Sequence, residues 1–187
     1  RRNQDLEREV GKRTAELEYL ASFDPLTGLH NRRAILSMMD RELTPERGCS
    51  RQTGCIMVDL NRFKQVNDTL GHAAGDEVLK DMAAQIQQCL RHGDALGRLG
   101  GDEFLVVLPG ADGDAFQSVY RRISELSCTA GDGQASVTVT ASCGGVEVPS
   151  GSPSPTAAVL AQADALLYQV KRAGRKGFAV ETFRPTS

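Results

Sequence analysis

The sequence predicts an α/β domain of the α+β type, a central sheet wrapped by helices. Three observations carry this. Residues 54–60 (Gly-Cys-Ile-Met-Val-Asp-Leu) are nearly continuously apolar, as a strand covered on both faces is. Residues 94–108 read as two apolar strands around Gly100-Gly101-Asp102-Glu103, the pattern of a β-hairpin with acids at its tip. Amphipathic helical periodicity recurs between the strand-like runs.

The elements follow in order. In residues 1–22, Leu6, Val10, Arg13, Leu17 and Leu20 recur at spacings of 4, 3, 4 and 3, a heptad seam with one polar position. This predicts a helical stalk (1–22) ahead of a globular domain (23–187), with an amphipathic helix packed on its own domain as the alternative reading. Pro25 stops that helix. Asp24 or Thr27 can cap a local turn, and Asn31 can cap a helix over 32–43 with Ile35, Leu36, Met39 and Leu43 on one face. Strand 54–60 ends on Asp59, a carboxylate that a buried strand tolerates only when it is paired or bound to metal. Residues 61–76 read as a short helix or turn and then a Gly-punctuated loop. Asp76 is placed to cap a helix to about Arg91, with Val78, Leu79, Met82, Ile86 and Leu90 inward.

After the hairpin, a helix is expected over 112–127 through Phe116, Val119, Ile123 and Leu126. A long strand over 137–148 contains Gly144-Gly145, read as a bulge. A Ser/Pro/Gly loop leads to a helix from Thr156 through Leu160, Ala163, Leu166, Leu167 and Val170, ending in the basic run 171–176; a last strand covers 178–183.

Bulk properties narrow the function. The 187 residues are 40% hydrophobic and 25% charged, enough for one sizeable core. A net charge of -2 gives no basic field for nucleic acid, so none is expected as a partner. Five cysteines (Cys49, Cys55, Cys89, Cys128 and Cys143) are an odd set without CxxC spacing, which predicts reduced thiols and a cytoplasmic domain. No apolar run approaches a membrane span. The chain starts without Met and inside a helical pattern, which suggests a fragment and leaves room for a membrane tether or sensor upstream.

An isolated Gly-Gly-Asp-Glu also occurs at ordinary solvated turns. Here it stands with Asp59 at a strand end, a loop at Arg62-Phe63-Lys64, and Lys171 with Arg175. Two acids from adjacent strands can hold Mg²⁺, backbone N–H groups at a tight turn cradle phosphate, and Lys and Arg neutralise a triphosphate. Together they describe a site for nucleotidyl transfer.

Four ordered motifs now resemble the GGDEF-domain diguanylate cyclases, over about residues 24–184: Asp24-Pro25-Leu26-Thr27-Gly28-Leu29-His30-Asn31-Arg32; Asp59 through Asp76; Gly100-Gly101-Asp102-Glu103-Phe104; and Tyr168-Gln169-Val170-Lys171-Arg172-Ala173-Gly174-Arg175. The resemblance implies a five-stranded, largely antiparallel sheet wrapped by helices, similar to adenylyl cyclase and polymerase palm domains. It also implies condensation of two GTP into cyclic di-GMP and two pyrophosphates by a homodimer, with an upstream sensor domain or regulatory protein acting through the N-terminal helix. By the same resemblance Asp59, Asp102 and the Leu60 carbonyl hold Mg²⁺ (or Mn²⁺), and Glu103 acts near the 3′-OH or a second metal. Asn67 and Asp76 read guanine. Arg62, Phe63, Lys64, Lys171 and Arg175 hold phosphates. Arg91-His92-Gly93-Asp94 matches the family's product-inhibition site for cyclic di-GMP, with Arg122 as a secondary contact; an ordinary helix-end ion pair is the competing reading. Two departures stand out: Asn61 where the family often has Asp, and Lys176 where it usually has Asn. Alternatives to an active cyclase are a catalytically inactive GGDEF receptor for nucleotide or cyclic di-GMP, and a mononucleotide cyclase.

Overall fold

In a computed structural model of the chain, the structure describes residues 13, 19, 21–44, 51–132, 135–151, 154–174 and 177–184. The elements are α1 (Arg32–Leu43), β1 (Thr53–Asn61), α2 (Phe63–Leu70), α3 (His72–Gln88), β2 (Ala95–Gly100), β3 (Glu103–Pro109), α4 (Gly113–Glu125), β4 (Ser127–Asp132), β5 (Ala135–Val148), α5 (Thr156–Arg172) and β6 (Gly177–Thr182). The seam positions Leu6, Val10, Leu17 and Leu20 lie outside the described residues; Arg13, Tyr19, Ala21 and Ser22 are helical.

The sheet runs β2-β3-β1-β5-β4, all antiparallel. β6 adds a parallel pairing to β5 over Ser142–Glu147. The expected five strands are therefore six among the described residues. The addition is β4, paired with the first half of β5 in a stretch whose inward residues, Cys128 and Ala130, are small and give only a weak strand pattern. A bulge at Gly144-Gly145 is also corrected: the β1–β5 register runs through both glycines without a shift. Their small size serves packing instead. A Cβ on Gly144 would lie 2.2 Å from the Ala163 carbonyl oxygen of α5, and one on Gly145 would lie 2.9 Å from the Tyr120 ring of α4.

Strand alternation sorts the core onto two faces. Ile56, Val58 and Leu60 of β1 and Phe104, Val106 and Leu108 of β3 pack with Val78, Met82 and Ile86 of α3 and Phe116, Tyr120 and Ile123 of α4. Cys55 and Met57, with Leu105 and Val107, pack with Ile35 and Met39 of α1 and with Val159, Ala163, Leu166 and Leu167 of α5. Each large apolar side chain buried this way contributes about 1.5–3 kcal/mol. Truncating fully buried Phe104 to Ala should cost about 3–5 kcal/mol. Cys55, Cys89, Cys128 and Cys143 are free thiols, three of them buried. Burial pushes the Cys55 thiol up to about 12 and Cys128 up to about 11, which keeps both protonated and unreactive. No helix among the described residues is long and apolar enough to cross a membrane.

The helix boundaries follow local chemistry. Asn31 caps α1, accepting from the Ala34 N–H at 3.0 Å. Asp112 caps α4 in the same way, through the Ala115 N–H. Asp76 does not cap α3: that helix starts at His72 with Gly71 at the cap, so Asp76 sits inside the first turns. The helix ends at Gln88, short of Arg91.

Candidate active site

Strand alternation delivers two of the acids. Asp59 follows Cys55 and Met57 at every second position of β1, and Glu103 precedes Leu105 and Val107 in the same way on β3. All six residues therefore share the face that α5 covers. Asp59 and Glu103 are direct cross-strand partners, and Asp59 is only 8% exposed. Asp102 sits one residue before Glu103, in the hairpin turn, where Gly100 (φ 143) and Gly101 (φ 54) take backbone conformations that side chains disfavour. Its carbonyl accepts from the Leu60 N–H at 3.2 Å. From the last turn of α5, Lys171 reaches Asp59, Nζ to Oδ2 at 2.6 Å.

The carboxylates are crowded. Burial raises the Asp102 carboxyl, and the charge of Asp59 raises it further. Burial likewise raises Glu103, followed by the charges of Asp59 and Asp102; Asp164 of α5 adds to this while Lys171 opposes it. Lys171 and Arg98 pull Asp102 the other way, and Lys171 does so for Glu103, but burial and repulsion prevail.

β1 leaves the sheet through Arg62, in the left-handed conformation at φ 67, and turns straight into α2. The first N–H groups of a helix have no intrahelical partner, and the helix dipole favours an anion there. The N-terminus of α2 opens on a cleft of about 470 Å³ whose lining includes Asp59, Leu60, Arg62, Lys64, Asp102 and Lys171. Phe63 also lines it. Asn61 is held by β5: its amide donates to Thr140 Oγ1 at 3.0 Å, and its Oδ1 accepts from Ser142 at 2.9 Å.

The remaining expected site residues fall in three places. Asn67 lies on α2 against α3, where a Cβ on Gly75 would meet its Oδ1 at 2.0 Å; Asp76 is exposed on the next residue of α3. Neither lines the cleft. Arg175 lies outside the described residues, as does Lys176. Arg91, Asp94 and Arg122 meet around a separate pocket of about 190 Å³ beside Leu108 and Val119. There the Arg91 N–H donates to Asp94 at 2.9 Å, Arg91 Nε to Asp94 at 3.3 Å, and Arg91 Nη2 to the Pro109 carbonyl at 3.0 Å. Sequence reasoning missed Asp164 and Arg98. The only signal for Arg98 was a charged residue within a hairpin strand, with nothing local to pair with it.

The donor set suits a hard divalent cation in one particular way. Asp59, Asp102 and the Leu60 carbonyl are oxygen donors, and the Lys171 ammonium already stands as a cation against Asp59. Among the described residues no three His, Cys, Asp or Glu side chains form a metal cage. Mg²⁺ is commonly bound through one or two carboxylates, with water and substrate phosphates completing its shell.

Comparison with known proteins agrees with this geometry. The family model "Diguanylate cyclase, GGDEF domain" matches residues 21–177. The response regulator PleD of Caulobacter vibrioides is 36% identical over 160 residues, covering 83% of this chain and 35% of PleD. The cyclic di-GMP phosphodiesterase PdeR of Escherichia coli is 35% identical over 167 residues, covering 89% of this chain and 25% of PdeR. The chain thus spans about a quarter to a third of the length of these curated relatives. Among solved structures, diguanylate cyclase SiaD from Pseudomonas aeruginosa, in complex with its activator SiaC, aligns at TM-score 0.74 and 34% identity, covering 96% of this chain and 68% of that one. The coiled coil and GGDEF domain of DgcB from Caulobacter crescentus, in complex with c-di-GMP, aligns at TM-score 0.77 and 26% identity, covering 96% and 97%. With the family model spanning most of its length, this chain belongs to the GGDEF diguanylate cyclase family.

Proposed function

We propose that this domain condenses two GTP into cyclic di-GMP and two pyrophosphates, as a homodimer under product feedback. The observation that carries the reading is the meeting of Asp59 and Asp102 in a cleft also lined by the first residues of α2, with Glu103 paired to Asp59 across the strands. The α2 N–H groups around Arg62, Phe63 and Lys64, with Lys171 and Arg175, bind the β- and γ-phosphates. Asn67 and Asp76 take the guanine edge, whose N1–H and amino group need acceptors. Glu103 lies beside the attacking 3′-OH.

Asp59, Asp102 and the Leu60 carbonyl would hold Mg²⁺, or Mn²⁺ in its place, which would neutralise charge on the triphosphate. The 3′-oxygen of one GTP attacks the α-phosphorus of the other, and pyrophosphate leaves. One cleft holds one GTP, so two domains must face each other. Residues 1–22 would set that encounter under an upstream sensor domain or regulatory protein, and Arg91, Asp94 and Arg122 would hold the product.

Incubation of the purified chain with Mg²⁺ and GTP, with products separated by chromatography, tests the reading. Cyclic di-GMP from GTP and none from ATP is expected. Nucleotide binding without turnover would place the chain among GGDEF receptors, and a cyclic mononucleotide would make it a mononucleotide cyclase.

A further inference from the structure

The motif over residues 24–32 has no part in the chemistry above, yet its side chains reach the hairpin tip. We propose that Arg98 is a positioning residue for Asp102, and that Asp24 holds Arg98 to that task; this rests on the cyclase reading.

The tip needs such a device. A Cβ on Gly100 or on Gly101 would meet nothing within 4 Å, so the turn glycines lie in open space. Two carbonyls are fixed instead. Arg98 Nε and Nη2 donate to the Gly101 carbonyl at 3.0 and 2.8 Å, and the Leu60 N–H donates to the Asp102 carbonyl at 3.2 Å. Those carbonyls belong to the two peptide planes that flank the Asp102 Cα. With both planes fixed, the backbone dihedrals of Asp102 are fixed, and so is the direction in which its side chain leaves.

Arg98 is itself gripped. Its Nη1 lies 3.2 Å from both oxygens of Asp24, and its backbone N–H donates to the His30 carbonyl at 2.8 Å. Asp24 Oδ2 also accepts from the Thr27 N–H at 2.9 Å and the Thr27 hydroxyl at 2.8 Å. The Arg98 and Asp24 side chains are 14% and 19% exposed, so the pair is largely shielded from water. A guanidinium serves both ends through three separate nitrogens of one rigid planar fork, whereas an ammonium would have to meet both partners from a single nitrogen.

The turn also holds the helical residues before it. The Phe23 N–H donates to the Tyr19 carbonyl at 2.8 Å and the Asn31 N–H to the Ser22 carbonyl at 2.9 Å. The rings of Tyr19, Phe23 and His30 stack at centroid spacings of 5.0 and 5.1 Å. A shift of Tyr19 or Ser22 therefore bears on Asp24, Arg98 and the Gly101 carbonyl in turn.

The test uses Arg98→Ala, Arg98→Lys and Asp24→Asn in the full chain. Misplacement of a reacting group by about 1 Å can cost roughly a hundredfold in rate. Both Arg98 variants should lose about tenfold or more in kcat, with KM for GTP changed less than about threefold. Asp24→Asn should fall between them and the parent. Millimolar guanidinium should partly restore Arg98→Ala and leave Asp102→Ala inactive. Amide hydrogen exchange gives a readout independent of turnover: the amides of residues 101–103 should exchange faster in Arg98→Lys while those of Ile56, Met57 and Val58 in the middle of β1 do not. Parental kcat in Arg98→Lys, a loss carried by KM alone, or unchanged exchange at the tip would each overturn the proposal. If the parent makes no cyclic di-GMP, the exchange result alone decides whether Arg98 holds the tip.

Discussion

A pocket with charged residues in its lining lies at each end of β3, the two roughly 20 Å apart, and they follow opposite electrostatic plans. At the Glu103 end, three carboxylates share the neighbourhood with the Lys171 ammonium, and burial with mutual repulsion raises Asp102 and Glu103. At the Pro109 end, Asp94 is matched by Arg91 three residues away, and Arg91 spends a further donor on the Pro109 carbonyl. Around the first pocket, burial and repulsion among the carboxylates outweigh the nearby cations Lys171 and Arg98. The lining of the second sets Arg91 and Arg122 against Asp94, and the Arg91 side chain is 55% exposed. The difference is between crowded carboxylates, which a further cation would stabilise, and a lining with more arginine than carboxylate, which an anion would suit.

The largest test of that contrast is Asp59→Ala or Asp102→Ala. Each should lower turnover by at least about a hundredfold, because the charge-stabilising groups of a site supply its largest rate terms. Circular dichroism should show the fold intact, and residual turnover near the parent's level would break the assignment. Next comes Asp76→Ala, which leaves guanine N1–H without an acceptor and should weaken GTP binding by about 1–3 kcal/mol, read by titration calorimetry against ATP. Third, Arg91→Ala should let product rise past the parental plateau; superimposed progress curves would leave the Arg91–Asp94 pair as a helix-end bridge only.

The smallest effect is in stability against pH. Asp102 and Glu103 have folded-state carboxyls raised above their ordinary values, so between the two values the folded protein holds more protons than the unfolded one. Metal-free stability from these two groups therefore falls as pH rises through that window. Asp24 works the other way. Burial would raise it, but the Thr27 hydrogen bonds and the Arg98 charge prevail and lower it, so its contribution is lost as pH falls through its depressed range. Melting curves from pH 4 to 7 should show Asp102→Asn with a shallower decline than the parent. An equal slope would remove Asp102 from the account.

What the sequence made legible was local. Asn31 and the apolar spacing of Ile35, Met39 and Leu43 placed α1 at its observed bounds, and Asp59 announced itself as a charge at the end of an apolar strand. β4 was hidden because its inward positions, Cys128 and Ala130, are small and alternate with polar residues over only two repeats; its pairing with β5 supplies what such a weak pattern does not. The start of α3 was hidden because Gly71 and Gly75 resemble loop punctuation. In the fold Gly75 is the space that Asn67 occupies. Within the site, the acids and the basic run were readable one by one. That Lys171 would touch Asp59, or Arg98 reach both Asp24 and Gly101, depends on which strands and helices become neighbours.

The ties that build the cleft also say when it can exist. Asn61 bonds to partners 79 and 81 positions later in the chain, and Arg98 to one 74 positions earlier. Closing loops of that length costs chain entropy before any contact returns it, so such contacts form late. During synthesis Lys171 follows Asp59 only after every strand of this domain but β6 has emerged. Until then the growing chain carries an acid in its central strand without the counter-ion that answers it. The cleft is among the last parts of this domain to be completed.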